Sequence, residues 1–160
     1  MGRFFSWSPQ TVAEHRHGRL RDVSREAQTA GWELAAATGD TVHTAVVGGD
    51  AERFAEQLDC AGVETVHTVT AGGAFNHDVH TQVLTQLAGA VDARVVLAPH
   101  SVMGLNYAPA LAAGLDWPVV TDAVALGGDD GLTVTRELDG AWTRLAVDGG
   151  RAVVTLRPGE

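Results

Sequence analysis

The order of sequence patterns predicts an α/β fold: a parallel sheet with helices on both faces and a C-terminal antiparallel β meander. Three observations carry this. Strand-like runs alternate with helical stretches from Ser24 to Val124, which is the rhythm of a parallel sheet with crossovers. One run, Arg94 to Ala98, is apolar almost throughout, as a strand covered on both faces must be. After Gly127 helical spacing ceases, and Asp-Gly steps divide the rest into short strand-like pieces.

Gln10 to Glu14 reads as a short, weakly apolar first strand, and Arg16 to Arg19 as a turn. Ala27, Ala30, Leu34 and Ala35 fall at helical spacing, with Ser24 as N-cap and Gly39 as C′ residue. Thr41 to Val47 is a strand closed by Gly48-Gly49, and Asp50 caps a helix running to about Ala61. Glu64 to Val69 is a strand, and 74–90 a helix with Val79, Val83, Leu84 and Leu87 inward. After the apolar strand come a short Ala-rich helix, Leu105 to Leu115, and a strand, Pro118 to Val124. The tail holds strands at Leu132 to Glu137, Ala141 to Val147 and Ala152 to Arg157.

The chain has 160 residues, and one domain spanning 1–160 is expected, since a domain takes about 100–200 residues. Its 11 arginines and no lysines stand against 12 Asp and 8 Glu, for a net charge of −9. Such an acidic chain is ill suited to nucleic acid or to anionic membranes, which require a cationic surface. The absence of lysine excludes lysine Schiff-base chemistry and a P-loop lysine. The single cysteine, Cys60, excludes an intrachain disulfide and any multi-cysteine metal cluster; it reads as a buried structural thiol. No signal-peptide pattern and no long apolar span is present, so a cytoplasmic protein without membrane insertion is expected. Trp32 reads as core, and Trp142 as an interface residue in a hairpin.

Ligands of open α/β sheets lie beyond the carboxyl ends of the strands, near the point where strand order reverses. Glu14-His15, Gly48-Gly49-Asp50, Pro99 to Gly104 and Thr121-Asp122 fall there. Gly48 and Gly49 precede a helix N-terminus, where backbone N–H groups suit an anion; the same residues also make an ordinary tight turn. His100, Ser101 and Gly104 come after the most buried strand and suit a binding or contact loop. A Ser–His nucleophile pair is disfavoured, because adjacent residues rarely face each other and no G-x-S-x-G elbow is present. These five residues are the cofactor-binding candidates; no catalytic residue is assigned. His77 and His80 share a helix-face spacing used by metal sites, but read as a solvated polar turn, so no metal site is expected. Neither G-x-G-x-x-G nor a Walker loop occurs.

Several stretches together resemble one family. Ala13-Glu14-His15-Arg16-His17-Gly18-Arg19-Leu20 is similar to the opening of electron transfer flavoprotein alpha subunits. Val46-Val47-Gly48-Gly49-Asp50 resembles their second strand and turn. Leu97-Ala98-Pro99-His100-Ser101, with Gly104 to Ala112, resembles their L-A-P segment; Val120-Thr121-Asp122 the close of the next strand; and Ala152 to Gly159 the end of their amino-terminal domain. The resemblance covers residues 10–159. It departs at Leu105-Asn106, where the family carries charge, and at Leu138-Asp139-Gly140-Ala141, where it carries a tyrosine-glycine motif.

The resemblance implies a Rossmann-like fold akin to the adenine nucleotide alpha hydrolase group. It implies a scaffold or partner-binding part of an electron-transfer flavoprotein rather than an enzyme. The family's FAD-binding carboxy-terminal domain lies beyond the resembling stretch, so no flavin-contacting residue carries over. No cofactor is then bound by this chain alone, with FAD present in the full complex. The expected partner is an electron transfer flavoprotein beta subunit or an FAD-binding domain, with a homo-oligomer also open. The alternative is a stand-alone nucleotide-binding protein of the same fold.

Overall fold

A computed structural model describes residues 8–16, 19–36, 39–48, 51–60, 62–70, 76–128, 131–147 and 150–158. In chain order the elements are β1 (Gln10–Val12), β2 (His15–Arg16), β3 (Arg19–Leu20), α1 (Asp22–Ala36), β4 (Val42–Gly48), a 3₁₀ turn (Ala51–Phe54), α2 (Ala55–Leu58) and β5 (Val63–Thr70). Then come α3 (His77–Ala90), β6 (Val95–Pro99), α4 (Val102–Leu115), β7 (Val119–Gly127), β8 (Thr133–Leu138), β9 (Ala141–Ala146) and β10 (Ala152–Leu156). Eight strands form one Rossmann-like sheet in the order β5-β4-β1-β6-β10-β7-β8-β9. Strands β5 to β7 of that order are parallel, and β8 and β9 add antiparallel. Strands β2 and β3 pair as a separate hairpin.

The predicted fold class holds, with one difference in the tail. The last strand is not the third member of the meander. Strand β10 returns to the centre and pairs parallel with both β6 and β7. Its sequence, Ala152-Val153-Val154-Thr155-Leu156, is buried at every position, as is β6. An apolar run with no polar face has no place at a solvated edge, so it takes the slot covered on both sides.

Alternation along these strands feeds two cores. Val96, Ala98 and Val153 pack with Ala45, Val12 and the inner residues of α3 and α4, among them Leu84, Tyr107 and Leu111. Val95, Leu97, Ala152, Val154 and Leu156 face the other way, toward Ala27 and Leu34 of α1. Phe54 and Leu58 close that second face beside Ala13 and Val46.

Strand β1 is central although its sequence is polar. Thr11 and Thr44 join hydroxyl to hydroxyl at 2.9 Å. Gln28 of α1 donates to Thr44 Oγ1 at 2.9 Å and to the Leu58 carbonyl at 2.8 Å. Buried hydroxyls are tolerable when paired in this way.

Helix α1 differs from expectation at its start. It begins at Asp22, and Ser24 lies in its first turn rather than at the N-cap. The Ser24 hydroxyl is committed to the Glu14 backbone instead. The other end of α1 agrees with expectation: Gly39 has φ +73°, with N–H bonds from Gly39 to Ala36 and from Asp40 to Ala35, a glycine-terminated helix end. The predicted cap Asp50 lies outside the described residues. The helix expected after Asp50 is shorter than its sequence suggests, one 3₁₀ turn and one turn of α-helix.

Trp32 is not core: it is 51% exposed, because the buried stripe of α1 runs through Ala27, Gly31, Leu34 and Ala35. Cys60 is exposed rather than buried. Trp142 lies on edge strand β9 and is 65% exposed.

Leu97, fully buried at the centre of the sheet, tests this packing. Leu97→Ala is expected to lower stability by about 2–5 kcal/mol in urea unfolding. A loss under about 1 kcal/mol contradicts the two-sided burial of β6.

Candidate functional site

Strand order places β4 and β5 on one side of β1 and β6 on the other. The chain therefore reverses direction across the sheet between β1 and β6. The crevice at the carboxyl ends of these two strands is the position where ligands of open α/β sheets lie.

Glu14 stands at its base. It is 4% exposed and every polar group on it is used. Its carboxylate accepts from Ser101 Oγ and from Arg21 Nη1, each at 2.5 Å. Its N–H donates to Ser24 Oγ at 2.8 Å, and the same hydroxyl donates back to the Glu14 carbonyl at 2.9 Å. The Arg21 N–H donates to that carbonyl too. The β2–β3 hairpin makes this possible, because it folds the chain from Glu14 back to the start of α1.

Ser101 caps α4 by accepting the Gly104 N–H at 3.1 Å, while its own proton goes to Glu14. Both capacities of the hydroxyl are thus occupied within the fold. Gly104 is required by close approach: a Cβ there would lie 1.8 Å from the Pro99 carbonyl oxygen. Gly48 is likewise covered. The His15 ring stacks on Phe54 with centroids 4.9 Å apart and bonds the Val47 carbonyl at 2.9 Å. A Cβ on Gly48 would lie 2.6 Å from that ring. Gly49 lies outside the described residues.

The carbonyl partner fixes the proton of His15 on Nε2. Tyr107 is buried beneath the crevice; burial, and then the Glu14 charge, push its phenol far above the ordinary value, so it stays protonated. Burial lowers the His80 pKa, reinforced by His15 and opposed by the bond to the Asn76 carbonyl.

His100 turns away from Ser101. Its Nδ1 meets Thr155 Oγ1 at 2.9 Å, and its Nε2 lies 3.8 Å from Asp122 Oδ1. Thr155 Oγ1 also accepts the Asp122 N–H at 2.9 Å. Asp122 has φ +62° at a register shift between β10 and β7, and the bulge directs it at Arg157. Arg157 answers with a two-pronged bond, Nε to Oδ1 at 3.0 Å and Nη2 to Oδ2 at 2.7 Å. Glu137 lies 3.7 Å from the same guanidinium. This second cluster ties β6, β10, β7 and β8 together along their shared edge.

Of the sequence candidates, Ser101 and Gly104 come together in one cap. Gly48 is sealed by His15, and His100 belongs to the neighbouring cluster. Of their partners, Glu14 was placed at this end of the sheet by the sequence and Ser24 was read as a cap, whereas Arg21, Thr155 and Arg157 carried no signal for these contacts. They lie far from Ser101 or His100 in sequence. His77 and His80 do not converge: His77 bonds Asn106 Oδ1 and His80 the Asn76 carbonyl. Among the described residues no three metal-ligating side chains converge, and no helix is long and apolar enough to cross a membrane.

The fold and crevice define a class: an open, mostly parallel α/β domain whose switch point carries a buried, paired carboxylate. The electron transfer flavoprotein domain matches residues 10–160, and the chain belongs to that family. It is 35% identical over 153 residues to an electron transfer flavoprotein subunit alpha of Methylophilus methylotrophus, covering 92% of this chain and 47% of the relative. It is 32% identical over 136 residues to a probable electron transfer flavoprotein subunit alpha, mitochondrial, of Cryptococcus neoformans var. grubii, covering 82% of this chain and 38% of the relative. The chain thus spans about half the length, or less, of these relatives.

The Asp122–Arg157 pair gives the site a pH signature. The hydrogen bond from Arg157 holds the Asp122 carboxyl below its ordinary range, aided by His100 and opposed by burial. A carboxyl depressed in the folded state stabilises fully above its unfolded pKa, and that contribution is lost as pH falls through the folded value. Asp122→Asn should therefore cost about 1–2 kcal/mol at neutral pH, with the difference shrinking below about pH 4. Urea unfolding across pH measures this; a difference independent of pH contradicts it.

Proposed function

We propose that this chain is an alpha-type domain of an electron transfer flavoprotein: a partner-binding scaffold that holds no flavin by itself. Redox chemistry in the assembly belongs to FAD bound elsewhere, and the partner is a beta subunit or an FAD-binding domain. The relatives, both described as alpha subunits, support the family side of this reading.

The observation that carries the scaffold role is the filled crevice. A nucleotide at the switch point would bring phosphate to the N-terminus of α4. Glu14 already presents its carboxylate there, bonded to the Ser101 cap. Its bonds to the Ser101 cap and to Arg21 occupy the groups that a phosphate would otherwise use. On this reading Gly48, Ser101 and Gly104 are architectural, and His100 joins strands rather than contacting a cofactor.

The purified chain is expected to be colourless and to form a one-to-one complex with a family beta subunit in size-exclusion chromatography. Calorimetry with AMP and with ATP, each to millimolar concentration, should give no saturable heat. Stoichiometric FAD on the isolated chain overturns the reading. Saturable nucleotide binding turns it toward a stand-alone nucleotide-binding protein.

A further inference from the structure

The opposite end of the sheet holds a cluster that the crevice does not use. His43 on β4 and His67 on edge strand β5 meet nitrogen to nitrogen, Nδ1 to Nε2 at 3.2 Å. Their ring centroids are 5.4 Å apart with planes at 27°. The other nitrogen of His43, Nε2, lies 3.1 Å from Glu64 Oε2, and Thr41 Oγ1 donates to Glu64 Oε1 at 3.2 Å.

The carboxylate settles the His43 tautomer. The proton sits on Nε2, facing Glu64, so Nδ1 presents a lone pair toward His67. This is the arrangement of metal-bound histidines, whose second nitrogen is held by an outer carboxylate. Two nitrogens on one tetrahedral ion, each about 2.0–2.1 Å from it, lie about 3.3 Å apart. The separation here already matches that span.

Gln10 on β1 stands opposite His43 in register. It is fully buried, and neither polar atom of its side chain has a hydrogen-bond partner. An ion-bound water would satisfy such an amide.

We propose that His43 Nδ1 and His67 Nε2 form a two-histidine site for a divalent transition-metal ion such as Zn²⁺. Glu64 orients His43, and water completes the coordination. Imidazole nitrogens are borderline ligands that select zinc, copper and nickel over magnesium or calcium. The rings face each other head-on, so entry of the ion requires each to tilt, a soft motion for a histidine ring. The proton held between the two nitrogens moves through solvent to Nδ1 of His67. Two neutral rings then bind the ion with no net proton release.

The test is a Zn²⁺ titration of the full chain, followed by calorimetry and by imidazole ¹⁵N resonances. One saturable site with a Kd on the order of 10 μM, shifting His43 and His67 together, is expected. Glu64→Gln should weaken it about 10-fold or more. His43→Gln and His67→Gln should each abolish it, while His77→Gln leaves it intact. The ¹⁵N readout uses the unaltered chain, so misfolding of a variant does not obscure the answer. No saturable binding overturns the proposal, leaving a histidine–histidine hydrogen bond only. So does binding that shifts His77 and His80 and survives both substitutions. Neither result depends on the scaffold reading.

Discussion

A buried carboxylate must be paired, and the pairing of Glu14 organises the end of the sheet where function would reside. Removing an ionised carboxyl from water costs several kcal/mol unless charge and hydrogen bonds replace the solvent. Here the replacements come from two places, Arg21 before α1 and Ser101 at the head of α4, while Ser24 within α1 bonds the Glu14 backbone. One residue therefore fixes the hairpin, the start of α1 and the first turn of α4 against one another. The same demand for partners commits the Ser101 cap and the Arg21 guanidinium to Glu14.

The neighbouring cluster extends this logic along the edge. Asp122 reaches Arg157 only because β7 bulges beside β10. Thr155 takes bonds from both Asp122 and His100. The insertion of β10 between β6 and β7 thus does more than fill the centre of the sheet. It brings Thr155 and Arg157 to strands from earlier in the chain, and makes the carboxyl edge continuous from β1 to β8.

Much of the fold was legible because burial writes itself into composition. The run Val95 to Ala98 has no polar face, so a two-sided strand was the only economical reading. The slot of β10 was not legible: a mostly apolar pentapeptide after a Gly-rich stretch fits a hairpin as well as a central strand. Trp32 shows the limit of size as a guide, since its position on the turn of α1 outweighs its hydrophobicity. Ser24 shows the same for capping, where a long-range bond to Glu14 replaces the local one. The crevice position came from strand order, and Ser101 and Gly104 from their place after β6. That Glu14 fills the crevice depends on contacts 87 residues apart, which no local pattern encodes.

The central claim, that Glu14 and Ser101 act as one closed unit, is tested most directly by a double-mutant cycle of Glu14→Gln and Ser101→Ala, read by urea unfolding. Residues in direct contact couple by about 0.5–3 kcal/mol, and independent ones add within about 0.3–0.5 kcal/mol. The account predicts a coupling of about 1 kcal/mol or more. Additive losses would contradict it and leave the crevice open to a ligand.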